Sequence, residues 1–580
     1  MKNFYSAERN VQIVLSLMKQ YGIKKVIASP GTTNYTLVAS MQQDPYFEMY
    51  SSADERSAAY MACGLAVESN EPVAITCTGA TASRNYLPAL TEAYYRKIPV
   101  LAITSTQHQY RIGNNIPQVI DRNSLPNDVA KISVFLKNIE SAEDEWGCNL
   151  LANKAISELF RNGGGPVHIN LETSYSKDFS VETLPPAKKI DRITLTDKFP
   201  DLNSEKIAII IGSHKKWPKS LEEKLDAFCS RYNAVVFGDH TSNYFGKYKF
   251  NSVLYLSQAY IKKETFDLAV HIGEISGEYT LFGVKAKSVW RVSDDGEMRD
   301  TFKCISKIFE MPEESFFGHY AKSQPSGGTS SAIAKLESQN SLVNEIKNNI
   351  PELPFSNIWI ASKMAGKIPE NSVVHFAILN SLRAWNLFDL PKGVLCYSNT
   401  GGFGIDGCMS SLIGASLADK NKLYFGVIGD LSFFYDMNSL GNKNLGKNLR
   451  ILLVNNGKGA EFRLFSHPAS RFGSDADKFI AAGGHYGNKS HELVKHYATD
   501  LGFEYMCATD KDGFEKNCKK FLSPKIDKPM LFEVFTDSDD ESAALKLIGE
   551  ITLSKKSKIY KSVKEMIPSR GIELLKKVLR

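Results

Sequence analysis

The feature that most constrains the fold of this chain is a regular alternation of apolar, β-branched segments with helix-like segments. In the first 180 residues, KKVIASPG, EPVAITCTGA, IPVLAITST and GPVHINLE predict strands, and ADERSAAYMACGLAVES and SRNYLPALTEAYYRK predict helices. Such alternation is typical of a parallel sheet that helices cover on both faces. Ligands bind such sheets at the carboxyl ends of the strands, so we expect the chemistry there.

The alternation recurs in two later blocks. The middle block contains the strand candidates KIAIIIGS, NAVVFGDH, FDLAVHIGE and SVWRVSDD, and shows no obvious catalytic constellation. The third contains SVVHFAI, GVLCYSN, KLYFGVIGD, LRILLVNN and KPMLFEVF. Irregular, Pro- or Ser/Gly-rich stretches at 173–203 and 319–338 predict linkers. Because 580 residues exceed what one core supports, we predict an α/β chain with three doubly wound parallel-sheet domains (1–180, 200–320 and 345–545) and a basic amphipathic tail (553–580).

Charge and composition exclude several classes of function. The net charge is +6, but residues 555–580 contain nine Lys or Arg and two Glu, so the rest of the chain is near neutral and nucleic-acid binding is not expected. The nine cysteines form no CxxC pair, which suits a reducing compartment. No segment has the ~20 uninterrupted apolar residues of a membrane span. We expect a cytoplasmic protein whose tail either packs on its own domain or over the active site, or makes weak contact with the inner membrane surface.

A candidate metal site follows two strands of the third block. KLYFGVIGD ends with Gly429 and Asp430, and LRILLVNN, 25 residues further on, ends with Asn455 and Asn456. Two parallel strands joined by one crossover need about this separation, so their carboxyl ends should lie side by side. Carboxylate and amide oxygens are ligands that Mg²⁺ or Ca²⁺ prefers, and nearby glycines let backbone groups approach phosphate oxygens. The alternative is an ordinary strand end and an ordinary turn.

This spacing resembles the fingerprint of thiamine-diphosphate-dependent enzymes. The stretches GDLSFFYDMNSL, SNTGGFGIDG, NSL (380–382) and DERSAAYMACGLA are similar to one family within them, the 2-succinyl-5-enolpyruvyl-6-hydroxy-3-cyclohexene-1-carboxylate synthases of menaquinone biosynthesis. The similarity runs from about residue 5 to 545, and suggests a divergent paralogue. It implies a pyrimidine-binding first domain, a central α/β domain and a diphosphate-binding third domain.

The resemblance also implies a set of site residues. Asp430, the Asn456 side chain and the Lys458 carbonyl would hold Mg²⁺. The remaining contacts to thiamine diphosphate would come from Asn380, Ser381, Gly401, Gly402, Ile405, Gly429, Leu431, Ser432 and Gly459. Ile405 would be the apolar wedge that keeps the cofactor bent.

Glu55 is the candidate for activating the cofactor. A glutamate bonded to N1′ of the aminopyrimidine favours the imino tautomer, whose nitrogen then removes the C2 proton. A partly apolar site that raises the pKa of this carboxyl would suit the role. The alternative is a solvated acid in the first turn of a helix. The family implies that Glu55 and Asp430 come from different subunits, so we expect a homodimer or homotetramer.

Departures from the family concern the substrate. Two of the family's carboxylate-binding arginines are replaced by Thr33 and Thr400. A third arginine of the family falls near Trp385 of this chain, although Arg383 is two residues away. The family's Asp-Arg-Pro loop is replaced by STQHQ (105–109). Each lost clamp is worth about 1.5–3 kcal/mol. Gln118 matches a family residue that faces the cofactor adduct.

Several other residues are open to two interpretations. Glu461 stands at a position where the family has an apolar residue. There it would transfer protons, bind a hydroxyl or amine, or be solvated. His108, Arg111, Arg463 and His467 are candidates for an anionic substrate or for the surface.

We therefore expect thiamine-diphosphate- and Mg²⁺-dependent decarboxylation of a 2-oxo acid, with protonation of the resulting enamine or its carboligation to an acceptor carbonyl. A role in surface-polysaccharide or specialised metabolite biosynthesis would fit this chemistry. One alternative is the menaquinone-pathway synthase reaction itself. Another is a non-catalytic cofactor-binding or membrane-recruited partner protein.

Overall fold

A computed structural model describes residues 4–122, 124–261, 263–322, 329–485, 489–525 and 527–552. Within these residues, three six-stranded parallel sheets with helices packed around them confirm the predicted α/β class. None of the helices in the described ranges has both the length and the apolar character that crossing a membrane requires. The predicted tail at 553–580 lies outside the described residues, and the cytoplasmic location and membrane contact remain predictions.

The first sheet has the strand order β2-β1-β3-β4-β6-β5. Its strands are β1 (Lys25–Ala28), β2 (Glu48–Ser51), β3 (Val73–Cys77), β4 (Val100–Thr106), β5 (Ser133–Leu136) and β6 (Val167–Glu172). Its helices are α1 (Arg9–Gln20), α2 (Tyr35–Gln42), α3 (Glu55–Ser69), α4 (Ala80–Asn85), α5 (Leu87–Arg96) and α6 (Ala142–Glu158). Successive strand residues enter two different cores, Ala74 in one and Ile75 in the other, because side chains alternate across a sheet. Both faces are therefore buried, which explains the continuous apolar runs in the sequence.

The second sheet has the order β7-β12-β11-β10-β8-β9. Its strands are β7 (Asp191–Thr194), β8 (Ile207–Ile211), β9 (Val235–Gly238), β10 (Thr265–Ile272), β11 (Lys285–Ser293) and β12 (Ile305–Glu310). Its helices are α7 (Lys219–Tyr232), α8 (Ser252–Ser257) and α9 (Glu313–Lys322), and α10 (Thr329–Asn348) follows. Thus β7 lies in the first predicted linker, and α9 and α10 occupy much of the second.

The third sheet has the order β14-β13-β15-β16-β18-β17. Its strands are β13 (Val373–Phe376), β14 (Leu395–Ser398), β15 (Tyr424–Gly429), β16 (Leu449–Asn455), β17 (Glu504–Ala508) and β18 (Met530–Phe535). Its helices are α11 (Asn357–Met364), α12 (Asn380–Asn386), α13 (Cys408–Ser416), α14 (Asp430–Asp436), α15 (Leu493–Asp500), α16 (Lys511–Phe521) and α17 (Ser538–Gly549). The crossover between β15 and β16 contains only the two-turn α14 and a 3₁₀ segment, Met437–Gly441.

Internal contacts divide the chain into two compact units. Of the described residues, those up to 197 and 296–310 form one unit, and those in 198–295 and from 311 onward form the other. Glu55 and Gln118 belong to the first unit, whereas Asp430, Asn456, Asn380 and Glu461 belong to the second. The domain boundaries given above remain a prediction.

Candidate active site

The two strand ends of the predicted metal site are neighbours. β15 and β16 pair in parallel, with Gly429 opposite Val454, so Asp430 and Asn455 emerge at the same edge of the sheet. Asp430 begins α14, with Gly429 as its N-cap residue. The adjacency expected from the spacing is therefore present, because a single crossover returns the chain to the adjoining strand.

Asp430 has the environment that a cation site needs. Its side chain is buried, and this burial raises the pKa of the carboxyl to about 7, although the backbone N–H groups of Leu431 and Gly457 favour the charged form. Within the described ranges, no lysine or arginine forms an ion pair with it. A divalent cation would supply the missing positive charge, since buried carboxylates need a partner. The site therefore fits Mg²⁺.

The other two proposed metal ligands flank Gly457. The Asn456 side chain is half-buried, and its Oδ1 lies 3.4 Å from the backbone N of Lys458. The Lys458 ammonium pairs with Asp477 at 2.7 Å, and its backbone carbonyl is the group proposed for the metal. Among the residues described, no three His, Cys, Asp or Glu side chains cluster around a potential metal position.

Three glycines predicted to contact the cofactor border open space. Apart from its chain neighbours, a β-carbon added at Gly401, Gly402 or Gly429 would meet no atom of the described residues within 4 Å. Their small size is therefore not required by packing within this chain, and room for a ligand explains it better. Gly459 differs, because a β-carbon there would lie 3.1 Å from the ring of Phe462.

The segment after Asp430 is tied to the loop that contains the predicted wedge. The Ser432 hydroxyl donates to the carbonyl of Ile405 at 2.5 Å, and Ile405 is half-buried. Leu431 is half-buried between Asp430 and Ser432. The structure therefore brings Ile405, Leu431 and Ser432 to the same edge of the third sheet as the proposed metal site.

Asn380 and Ser381 open α12 beside a strained residue. Leu379 has φ 64° and ψ −125°, a conformation that a bulky side chain rarely adopts and that costs about 1–3 kcal/mol. The strain places Asn380 at the first position of the helix, with Ser381 buried behind it. Such strain concentrates at functional sites. This strain was not predictable from the sequence, because no glycine stands at position 379.

Glu461 forms an ion pair that the sequence did not predict. It lies in the 3₁₀ turn Ala460–Arg463, where its Oε1 accepts from Arg383 Nη1 at 2.9 Å. The Arg383 guanidinium lies 4.0 Å from the centre of the Tyr279 ring, and that ring stacks on Phe403 of the glycine-rich loop. The middle block, which showed no catalytic constellation in sequence, thus contributes Tyr279 to this neighbourhood.

The residues that stand where the family has arginines are uncharged, and each forms hydrogen bonds within the chain. The hydroxyl of Thr33 contacts Thr78 and the carbonyl of Ser105. The Thr400 hydroxyl lies 3.0 Å from that of Ser213. Trp385 is fully buried, and its indole N–H donates to Asn357. None of these three positions supplies a cation for a substrate carboxylate.

In the first unit, Glu55 begins α3, whose N-cap residue Asp54 accepts from the backbone N–H of Ser57. The Glu55 carboxylate is half-buried and accepts from the Asn85 amide at 3.1 Å. Gln118 is exposed on a loop and has a positive φ of 65°. Both candidates are therefore accessible within their unit, and their catalytic roles remain proposals.

The four other candidates for anion binding each have a partner within the chain. The contacts are His108 with Glu172, Arg111 with Gln107, Arg463 with Asp477 and Asp539, and His467 with the backbone N–H of Ala469. These interactions account for the four side chains without a substrate.

Comparisons with known proteins decide the family. Residues 9–125 match the family described as "Thiamine pyrophosphate enzyme, N-terminal TPP binding domain". A 2-succinyl-5-enolpyruvyl-6-hydroxy-3-cyclohexene-1-carboxylate synthase of Bacteroides fragilis is 32% identical over 570 residues, covering 93% of this chain and 98% of the relative. The chain belongs to this synthase family.

A synthase of the same name from Phocaeicola vulgatus is 30% identical, again over 93% of this chain and 98% of the relative. A solved 4-hydroxybenzoylformate decarboxylase of Rhodococcus jostii RHA1 aligns over 92% of this chain and 100% of its own, with 17% identity and a TM-score of 0.38, too weak a likeness to support an argument. The expected cofactors, thiamine diphosphate with Mg²⁺, are confirmed for this synthase-family enzyme. The named relatives favour the menaquinone-pathway alternative over a general 2-oxo acid decarboxylase.

Proposed function

We propose that this enzyme decarboxylates a 2-oxo acid and joins the remaining carbon fragment to an acceptor carbonyl or alkene, using thiamine diphosphate and Mg²⁺. The observation that carries this proposal is the buried Asp430 carboxylate beside the end of β16, with which no lysine or arginine of the described residues forms an ion pair. When bound, thiamine diphosphate supplies the thiazolium ring that accepts the electrons released with CO₂. Protonation of the fragment to an aldehyde is the simpler variant.

The chain's own residues would bind and orient the cofactor. Asp430, Asn456 and the carbonyl of Lys458 would hold Mg²⁺, and the backbone beside Gly429, Leu431, Ser432 and Gly459 would accommodate the diphosphate. Asn380, Ser381, Gly401, Gly402 and Ile405 would line the thiazolium end. Gln118 would face the reacting substrate.

Glu55 would hold a proton at N1′ of the aminopyrimidine in a second subunit. The exposed surface of α3 supports an oligomer, because Tyr60, Met61 and Val67 are large apolar residues that stand in solvent along the helix that Glu55 begins. Burial of this surface against another copy would also remove water from the neighbourhood of Glu55. We therefore propose a homodimer or homotetramer.

Two substrate assignments have separate support. The named relatives support the menaquinone-pathway reaction, in which 2-oxoglutarate is the donor and isochorismate the acceptor. The uncharged, internally bonded Thr33, Thr400 and Trp385 support the same chemistry on a donor or acceptor with fewer carboxylates. Incubation with 2-oxoglutarate and isochorismate tests the first assignment directly.

The general test is a screen of 2-oxo acids for CO₂ release. We expect at least one acid to react only when thiamine diphosphate and Mg²⁺ are both present. Glu55→Gln is the catalytic control, and Glu370→Gln, at an exposed site in the second unit, is the matched neutral control. Absence of CO₂ release from every acid, or release that does not need thiamine diphosphate, would contradict the proposal.

A further inference from the structure

The Glu461 carboxylate is held at both of its oxygens. Arg383 Nη1 donates to Oε1 at 2.9 Å. With the Asn380 amide oriented to satisfy both of its groups, its nitrogen donates to Oε2 at 2.6 Å and its oxygen accepts from the backbone N–H of Glu461 at 3.1 Å. Asn380 also belongs to the proposed thiazolium end of the cofactor site. Glu461 is therefore fixed at the place where the donor acid would react.

Arg383 is itself immobilised and offers little to a substrate. The Tyr279 ring covers its guanidinium at 4.0 Å, a cation–π contact. Its Nη2 is buried and has no hydrogen-bond partner within the described part of the chain. A buried donor atom is not accessible to a substrate carboxylate. Arg383 therefore acts on Glu461, balancing and orienting its charge, and is a positioning residue.

Glu461 retains capacity for a further hydrogen bond. An ionised carboxylate has about four acceptor positions, and Arg383 and Asn380 occupy two of them. The side chain is 20% exposed, so a remaining position is accessible. That position accepts an O–H or N–H donor, and it repels another carboxylate.

We propose that Glu461 determines the donor substrate: it accepts a hydrogen bond from a hydroxyl or ammonium group on the side chain of the 2-oxo acid, and it disfavours a second carboxylate there. This inference rests on the proposed 2-oxo acid decarboxylation, and it favours the second of the two substrate assignments. The uncharged Thr33, Thr400 and Trp385 fit it, since none of them would hold the distal carboxylate of a dicarboxylic donor.

The test compares two donors of equal chain length, 5-hydroxy-2-oxopentanoate and 2-oxoglutarate, in the full-length enzyme with thiamine diphosphate and Mg²⁺. We expect wild-type kcat/KM for CO₂ release to favour the hydroxylated donor by at least ~10-fold, mainly through KM. Glu461→Gln should reduce that preference at least ~10-fold and improve use of 2-oxoglutarate, because the repulsive charge is gone. Arg383→Met should lower kcat/KM for the hydroxylated donor, because Glu461 loses the partner that orients it, and Arg383→Lys should restore part of that loss, since lysine returns the charge but not the planar geometry.

Two controls keep the outcomes distinct. Thermal stabilisation by thiamine diphosphate shows whether each variant still folds and binds the cofactor, and Glu370→Gln should leave the preference unchanged. A wild-type preference for 2-oxoglutarate, or the same preference in Glu461→Gln as in wild type, would overturn this inference alone. Failure of the wild-type enzyme to release CO₂ from any 2-oxo acid would instead overturn the proposed function.

Discussion

Glu541, in the first turn of α17, should stabilise this protein less as pH rises from acidic to neutral values. The side chain is 6% exposed, and its carboxylate accepts hydrogen bonds from the backbone N–H of Asn357 at 2.9 Å and from the Thr536 hydroxyl at 2.8 Å. Burial, with a smaller contribution from Asp540, raises the pKa of Glu541 to about 7 despite these donors. The perturbation that isolates this effect is Glu541→Gln, because the amide oxygen still accepts both hydrogen bonds.

The size and sign follow from linkage between protonation and folding. The carboxyl has a pKa of 4.5 in the unfolded chain and about 7 in the folded protein, so the folded state holds the proton more tightly. The contribution of Glu541 to stability is therefore greatest below the unfolded pKa and is lost as pH rises through the folded value. The loss amounts to under ~1 kcal/mol at about pH 5 and to ~3 kcal/mol above about pH 8.

The assay is urea unfolding of the cofactor-free protein, followed by fluorescence at about pH 5 and about pH 8.5. We expect the difference in free energy of unfolding, Glu541→Gln minus wild type, to be ~2 kcal/mol larger at the higher pH than at the lower pH. The exposed Glu370→Gln is the control and should show no such difference. If wild type and Glu541→Gln differ in free energy of unfolding by the same amount at both pH values, burial does not perturb the pKa of this carboxyl and the reasoning fails.

Three further predictions concern the site and its support. Asp430→Asn should weaken Mg²⁺-dependent thiamine diphosphate binding at least ~100-fold by calorimetry, whereas the exposed Asp475→Asn should not. Glu55→Gln should lower kcat by ~10²- to 10⁴-fold while cofactor binding persists; full turnover would refute its role. His168 is buried, which lowers its pKa to about 3, so the folded state stays neutral while the unfolded chain gains a proton. Stability should therefore fall below about pH 6.5 by up to ~1.4 kcal/mol per pH unit. Over the same pH range, the melting temperature of His168→Gln should decrease less than that of wild type.

The sequence predicted those parts of the site that follow directly from strand order. Apolar strand segments with helices between them left few arrangements other than parallel sheets, and the 25 residues from Asp430 to Asn455 allowed one crossover. Short edge strands such as β2, β5 and β17 were missed, since they are brief and only partly apolar. The family's arginine positions were also evident in sequence, because Thr33 and Thr400 stand in recognisable motifs.

By itself, then, the sequence determined the fold class and the edge of the sheet where Asp430 lies, because repeating patterns and strand spacing encode them. The cofactor followed from the resemblance of its motifs to the thiamine-diphosphate family. Only the tertiary structure decided that Glu461 meets Arg383, Asn380 and the neighbourhood of Tyr279. These residues are far apart in the chain and lie in turns and helix starts, where no periodic pattern fixes the direction of a side chain. The burial of Asp430 and the strain at Leu379 likewise depend on packing from several segments at once.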